Sequence, residues 1–328
     1  MSWYTGSGQA PADGKAATLP PSLEKRYRHP SGYRADQGLI DAVNVALQLG
    51  QPLLLTGQPG TGKTEAAYSI AWELGLGPVL KFESKSTSVA RDLFYSYDAL
   101  GRFHASQRGG DVDALAFIRF GALGKAILEA NPREAVAHLL APDAPHAGPR
   151  RSVVLIDEID KAPRDFPNDL LNEVEHMYFR LPELGNVQVD AGADMRPVLI
   201  LTSNSEKNLA EAFLRRCIFY HLPFPDPERL LDIVHARLGE AAGASRELIV
   251  QALEVFARLR EPQAGLAKRP STSELLAWLR LLTEGPMKAG AQGLRDPRLV
   301  APTIATLVKT VEDRPQAEHI LRDWQAGA

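Results

Sequence analysis

Eight consecutive residues, Gly57-Gln58-Pro59-Gly60-Thr61-Gly62-Lys63-Thr64, carry the clearest chemistry in this chain. They follow the apolar run Leu53-Leu54-Leu55 and precede a segment, Glu65 to Leu74, whose pattern predicts a helix. The spacing is G-x-x-x-x-G-K-T in a strand–loop–helix setting, an arrangement that cradles phosphate. Glycines at 57, 60 and 62 admit backbone conformations that a Cβ hinders, so successive N–H groups can converge on an anion. The helix beginning near Gly62 adds the positive end of its dipole. Lys63 is placed to reach the β- and γ-phosphates of a nucleotide, and the Thr64 hydroxyl to take a position on Mg²⁺. An ordinary glycine-rich turn would not account for the whole motif, its setting and the partners that follow it.

The first of those partners is Ser152-Val153-Val154-Leu155-Ile156-Asp157-Glu158-Ile159-Asp160. An aliphatic, β-branched run leading straight into acids predicts a buried parallel strand with its carboxyl end at a site. Asp157 is placed to hold Mg²⁺, directly or through water. Glu158 can orient and polarise an attacking water. An Asp-Glu pair is a common surface turn, but about 90 residues after a phosphate loop it is informative. A second such strand, Pro197 to Ser203, ends at Asn204, which could orient the same water or simply start a turn. Arg215 and Arg216 precede the strand Ile218-Phe219-Tyr220-His221. Cations there suit a helix end, and an arginine there can also be lent to a neighbour's γ-phosphate. Arg269, just before a Ser271/Glu274 capping box, either points at the nucleotide or is an exposed surface residue. The single cysteine, Cys217, reads as a small core residue with no histidine motif around it. The eight histidines show no metal spacing, so a structural zinc is not expected.

The surrounding elements must position these groups. A helix is predicted from Asp36, with Gly50 ending it, and a second strand at Val79–Phe82. Residues 89 to 107 carry Leu93, Phe94, Tyr95, Tyr97 and Phe103, mostly core by expectation, with one or two as candidates for a central pore. A helix is expected over Asp111–Ala130, broken near Gly121 and Gly124, then an irregular exposed connection over residues 131–150. Phe166, Leu170, Leu171, Val174 and Met177 mark an amphipathic helix, and residues 178–196 a small hairpin. Pro223, Pro225 and Pro227 mark a domain boundary. Beyond it, helices are expected at Glu228–Leu238, Arg246–Leu259, Ser271–Leu282 and Val300–Thr310, with a last one near Glu318–Trp324.

The chain has 328 residues, enough for two domains, with 45% hydrophobic and 23% charged residues. A formal net charge of −3 gives no general argument for nucleic-acid binding. One cysteine excludes an internal disulfide and suits a reducing compartment. The start, Met1-Ser2-Trp3-Tyr4, lacks a signal-peptide pattern, and no apolar run approaches the ~18 residues of a membrane span. A soluble cytoplasmic protein is the expectation. Residues 1–32 read as a flexible extension. Its cluster Lys25, Arg26, Arg28 and Arg34, with Tyr27 and Tyr33, suits a solvated linker better than a nucleotide or subunit contact.

In this order, the phosphate loop, the acidic strand, the Asn204 strand, the paired arginines and the helical C-terminal region resemble an AAA+ ATPase. More narrowly the chain resembles the MoxR family. The residues behind this are Tyr33-Arg34-Ala35-Asp36, GQPGTGKT, FIRFGALGKAIL (117–128), VLIDEIDKAP and AFLRRCIFYHLPFP (212–225). The resemblance spans about residues 33 to 315. It implies an α/β core (33–224) with a five-stranded parallel sheet in the order 5-1-4-3-2, and an all-helical lid (225–328). It also implies ATP and Mg²⁺ between core and lid, and a homo-oligomeric ring of six. Carried over by position, Lys63 and Thr64 match the phosphate loop, Asp157 and Glu158 the magnesium and catalytic acids, and Asn204 the first sensor. Arg216 matches the trans arginine better than Arg215. Arg269 is the choice for the lid sensor, with Lys268 in reserve, because the chain departs here from the family's Gly-Ala-Ser-Pro-Arg pattern. Segment 129–151 looks longer than usual for the family. Proteins of this family commonly work with a partner bearing a von Willebrand factor A (VWA) domain, so the resemblance implies one here; an ATP-driven remodeller of a protein client is the leading expectation. The competing readings are a nucleotide-switched assembly scaffold and a DNA-directed motor.

Overall fold

The structure, a computed structural model, describes residues 29–108, 113–141, 143–146, 148–205, 209–239, 246–284, 289, 293–296 and 301–327. The expected extension over residues 1–32, with Lys25, Arg26, Tyr27 and Arg28, lies outside them up to residue 28. The described residues divide into two compact units. One comprises Ala35–Gln58 and Lys63–Pro223. The other takes the described parts of Met1–Arg34, Pro59–Gly62 and Phe224–Ala328.

In the first unit the helix Gln37–Leu49 opens on Asp36, whose carboxylate accepts the Leu39 N–H at 2.7 Å. It closes on Gly50, left-handed at φ 62°. β1 (Leu53–Gly57) is buried at every position and leads to the helix Lys63–Glu73. β2 (Leu80–Glu83), β3 (Tyr95–Tyr97) and β4 (Ile118–Phe120) precede the helix Ala122–Glu129. β5 (Val153–Asp157) is again wholly buried. Then come the antiparallel pair β6 (Tyr178–Leu181) and β7 (Val187–Asp190), and finally β8 (Val198–Ser203) and β9 (Ile218–Leu222).

Five of these strands form one parallel sheet in the order β2-β5-β8-β1-β9. Counted among themselves they run 5-1-4-3-2, as the resemblance implies. Strands buried on both faces need helices on both, which is why β1, β5 and β8 read as unbroken apolar runs. Leu54, Val154, Ile156, Leu199 and Leu201 pack in one cluster with Leu123, Ile127, Phe166 and Phe213.

Three local expectations are corrected. Ile118–Phe120 is strand rather than helix, because it pairs antiparallel with Tyr95–Tyr97 (residues 109–112 lie outside the described ones). The connection 131–150 is not simply exposed: it holds the short helix Arg133–Val136, and Val136 and Leu139 are buried in the core. The amphipathic segment from Phe166 is two short helices, Phe166–Asp169 and Leu171–His176, with buried Leu170 between them. Among the aromatics of 89–107, Phe94 and Tyr95 are buried, whereas Phe103 is 57% exposed.

The second unit is helical. Its helices include Pro227–Leu238, Arg246–Arg260, Thr272–Thr283 and Asp313–Ala326. Ser271 and Glu274 form the capping box expected of them. Trp278, Phe256, Val234, Leu282 and Trp324 share a separate apolar core. The region expected as one helix from Val300 to Thr310 is helical over residues 301–303 and runs into the 3-10 turn Ile304–Thr306, stopping short of Thr310, with 297–300 outside the described residues, and the last helix begins earlier than expected. Among the described residues no helix is long and apolar enough to cross a membrane.

Candidate functional site

β1, β5 and β8 lie side by side, so their carboxyl ends bring separate stretches of sequence to one edge of the sheet. Ligands of open α/β sheets bind at such edges. At the end of β1 the chain turns through glycines in conformations few other residues adopt, with φ 147° at Gly57, 76° at Gly60 and 96° at Gly62. Lys63 then opens its helix with its side chain folded back. It is 7% exposed. Its ammonium donates to the carbonyl oxygens of Gly57 at 2.8 Å and Gln58 at 3.0 Å, and to Asn204 Oδ1 at 3.1 Å. Burial lowers its pKa, against the opposing pull of Asp160, Asp157 and Glu158. Three donors on three oxygens aim the cation at the mouth of the loop.

Thr64 Oγ1 donates to Asp157 Oδ1 at 2.9 Å, and Thr202 Oγ1 donates to the same oxygen at 2.6 Å. Lys81, on the neighbouring strand β2, ion-pairs with Asp157 Oδ2 at 2.9 Å. Burial alone would raise the Asp157 pKa. The hydrogen bonds from Thr202, Lys81 and Thr64 outweigh it and hold the carboxyl below its ordinary range. Asp157 is therefore an anion flanked by a hydroxyl. Paired oxygens of this kind, next to a loop built for phosphate, suit Mg²⁺, which takes few protein ligands and keeps waters and phosphate oxygens for the rest.

Glu158 follows with φ 55°, a left-handed conformation that costs energy in a residue with a side chain. Its N–H is held by Thr202 Oγ1 at 2.9 Å. The sharp turn brings the carboxylate out to 44% exposure, where it ion-pairs with Lys161. Asp160 Oδ1 accepts the Asn204 N–H at 3.3 Å, tying the ends of β5 and β8 together.

The structure thus gathers Lys63, Thr64, Asp157 and Asn204 by direct contacts, with Glu158 adjoining. It does not bring Arg215 or Arg216 into that group. Arg216 ion-pairs with Glu175 at 2.9 Å and donates to the Ala212 carbonyl at 3.1 Å. Arg215 pairs with Glu211 along its own helix. Arg269 and Lys268 are exposed residues of the helical unit. Sequence reasoning missed Thr202 and Lys81. The available signal was a polar residue inside an otherwise apolar strand, in Leu201-Thr202-Ser203 and in Leu80-Lys81-Phe82.

No curated protein matches the chain. The family model described as AAA domain (dynein-related subfamily) matches residues 52–217, just over half of the 328 residues. That span holds every contact from Lys63 to Asn204 described above, in a P-loop NTPase domain with the parallel sheet such a domain requires. The chain belongs to the AAA domain family, in its dynein-related subfamily.

Proposed function

We propose that this protein is a MoxR-like AAA+ ATPase that hydrolyses ATP at the subunit interfaces of a six-membered ring and uses the energy to remodel a protein client. The observation that carries the reading is the cluster at the ends of β1, β5 and β8. In it a loop-held lysine and a hydroxyl–carboxylate pair converge, with a second acid beside them. In this reading Gly57, Gln58, Pro59, Gly60, Thr61, Gly62 and Lys63 hold the nucleotide phosphates, and Thr64 and Asp157 hold Mg²⁺. Held there, Mg²⁺ would neutralise phosphate charge during transfer. Glu158 polarises the attacking water and Asn204 orients it. For this Glu158 must exchange Lys161 for the water. Arg216, with Arg215 as the alternative, leaves its pairing with Glu175 to complete a neighbour's site, where a permanent planar cation is effective. Arg269, or Lys268, senses the nucleotide from the helical unit. A partner bearing a VWA domain and a cytoplasmic location belong to the same reading by resemblance.

The test is ATPase rate against protein concentration for wild type, Glu158→Gln and Arg216→Ala, with mass photometry in parallel. The expected specific rate climbs as the oligomer forms. Each variant is slow alone, and a mixture recovers activity because one site then combines an intact Glu158 with an intact Arg216. A flat rate from a monomer, untouched by Arg216→Ala, would defeat the shared-site reading.

A further inference from the structure

Lys81 lies on β2 two positions from the pairing partner of Asp157, since Glu83 is opposite Asp157 and Lys81 opposite Leu155. Its ammonium spans two acids, Asp157 Oδ2 at 2.9 Å and Glu83 Oε1 at 2.7 Å. The two acids differ in setting. The Asp157 side chain is 11% exposed and the Glu83 side chain 66%. On the opposite oxygen, Oδ1, Asp157 is held by Thr64 and Thr202. The carboxylate therefore has a hydroxyl-lined side toward the phosphate loop and a cation on the other.

We infer that Lys81 is a resident counter-ion of Asp157 that sets how much Mg²⁺ the site requires. The inference rests on the reading of Thr64 and Asp157 as the magnesium pair. Lys81 neutralises the buried carboxylate when no metal is there, which spares the fold an unpaired charge. The same positive charge opposes a divalent cation arriving at Oδ1, because both draw on one carboxylate. Glu83 supplies the release: as the metal takes Asp157, Lys81 keeps an acid partner. Affinity for the metal is then a balance between the two carboxylates that share Lys81. Orientation of Asp157 does not depend on Lys81, since two hydroxyls fix Oδ1.

This yields effects of opposite sign. In Lys81→Met the opposing charge is gone and the hydroxyls remain. The free Mg²⁺ giving half-maximal enhancement of ADP binding should fall roughly tenfold, the scale of one opposed, largely screened unit charge. In Glu83→Gln the lysine keeps Asp157 as its acid partner, and the requirement should rise severalfold. Lys81→Arg keeps the charge and should stay within about twofold of wild type. The measurement is ADP affinity by titration calorimetry over a series of free Mg²⁺ concentrations, on full-length protein whose melting curves show each variant folded. It needs no turnover. A merely structural Lys81 would weaken Mg²⁺ use in both Lys81→Met and Glu83→Gln, and that outcome overturns the inference, as does an unchanged requirement in Lys81→Met. A wild type that binds ADP with no response to Mg²⁺ overturns the magnesium reading itself and this inference with it. Wild-type dependence on Mg²⁺ with no shift in the variants rejects Lys81 alone.

Discussion

The Thr202 hydroxyl donates to Asp157 Oδ1 at 2.6 Å and accepts the Glu158 N–H at 2.9 Å, so one side chain fixes both acids. Thr202→Val keeps the shape of the side chain and removes both hydrogen bonds, leaving a buried carboxylate oxygen and a strained N–H poorly satisfied. We expect a loss of about 1–3 kcal/mol in urea denaturation, with Thr202→Ser recovering most of it. A shift no larger than that of a surface substitution would remove Thr202 from the site's support. Cys217 gives a second residue-scale expectation. Partial burial of this half-buried residue pushes its thiol up to about 12, so little of the reactive thiolate forms at pH 8. Labelling by a disulfide reagent should be at least ~100-fold slower in folded than in denatured protein. Labelling of the folded form as fast as that of the denatured form would contradict the raised thiol. At this scale the sequence was readable where chemistry is contiguous. Lys63, Thr64 and Asp157-Glu158 sit in motifs whose spacing carries meaning. Thr202 and Lys81 gain theirs only from strand register, which places two different neighbours of β5 beside one carboxylate.

At the scale of elements, legibility follows burial symmetry. The strands hidden on both faces were plain, because nothing but an apolar run can fill such a position. Ile118–Phe120 was not, since three residues are too few to separate strand from helix by period. What decides the matter is a partner distant in sequence. Gly121 N–H donates to the Phe94 carbonyl at 2.7 Å, and the helix Ala122–Glu129 then runs hard against the same peptide. A Cβ built on Gly124 would stand 1.9 Å from Phe94 O, a backbone atom that cannot swing aside. Gly124→Ala should therefore destabilise the protein despite the better helix propensity of alanine, by about 1–3 kcal/mol or more. Urea denaturation followed by circular dichroism measures it. An alanine variant as stable as wild type would mean that this helix is free to move away from β3.

The whole molecule carries two apolar cores, one around the sheet and one among the helices Pro227–Leu238 to Asp313–Ala326. Two cores of this kind need not melt together. Tryptophan reports on the second: Trp278 and Trp324 are 0% and 3% exposed within it, whereas Trp72 in the sheet unit is 55% exposed. One carboxylate ties the ends of this helical core. Asp313, the first residue of the last helix, accepts the N–H groups of Ala267 at 2.7 Å and Lys268 at 3.0 Å. It thereby holds the segment that leads to Arg269. Nothing in the sequence near residue 313 announced this, because the partners are 45 and 46 residues away. The hydrogen bond with Thr310, then those from Ala267 and Lys268, keep its carboxyl below the ordinary carboxylate range. The sign follows from that depression. An acid that binds its proton less readily folded than unfolded stabilises the fold above its unfolded pKa of about 3.9, and the contribution fades as pH falls through the lower folded value. Asp313→Asn should shift the fluorescence-detected urea midpoint downward at pH 7, and the gap to wild type should close as pH is lowered from about 4. The midpoint of the sheet unit, read from a probe placed there, should stay where it was. Equal midpoints at pH 7, or a gap that persists undiminished in acid, would show that this carboxylate does not clamp the helical unit.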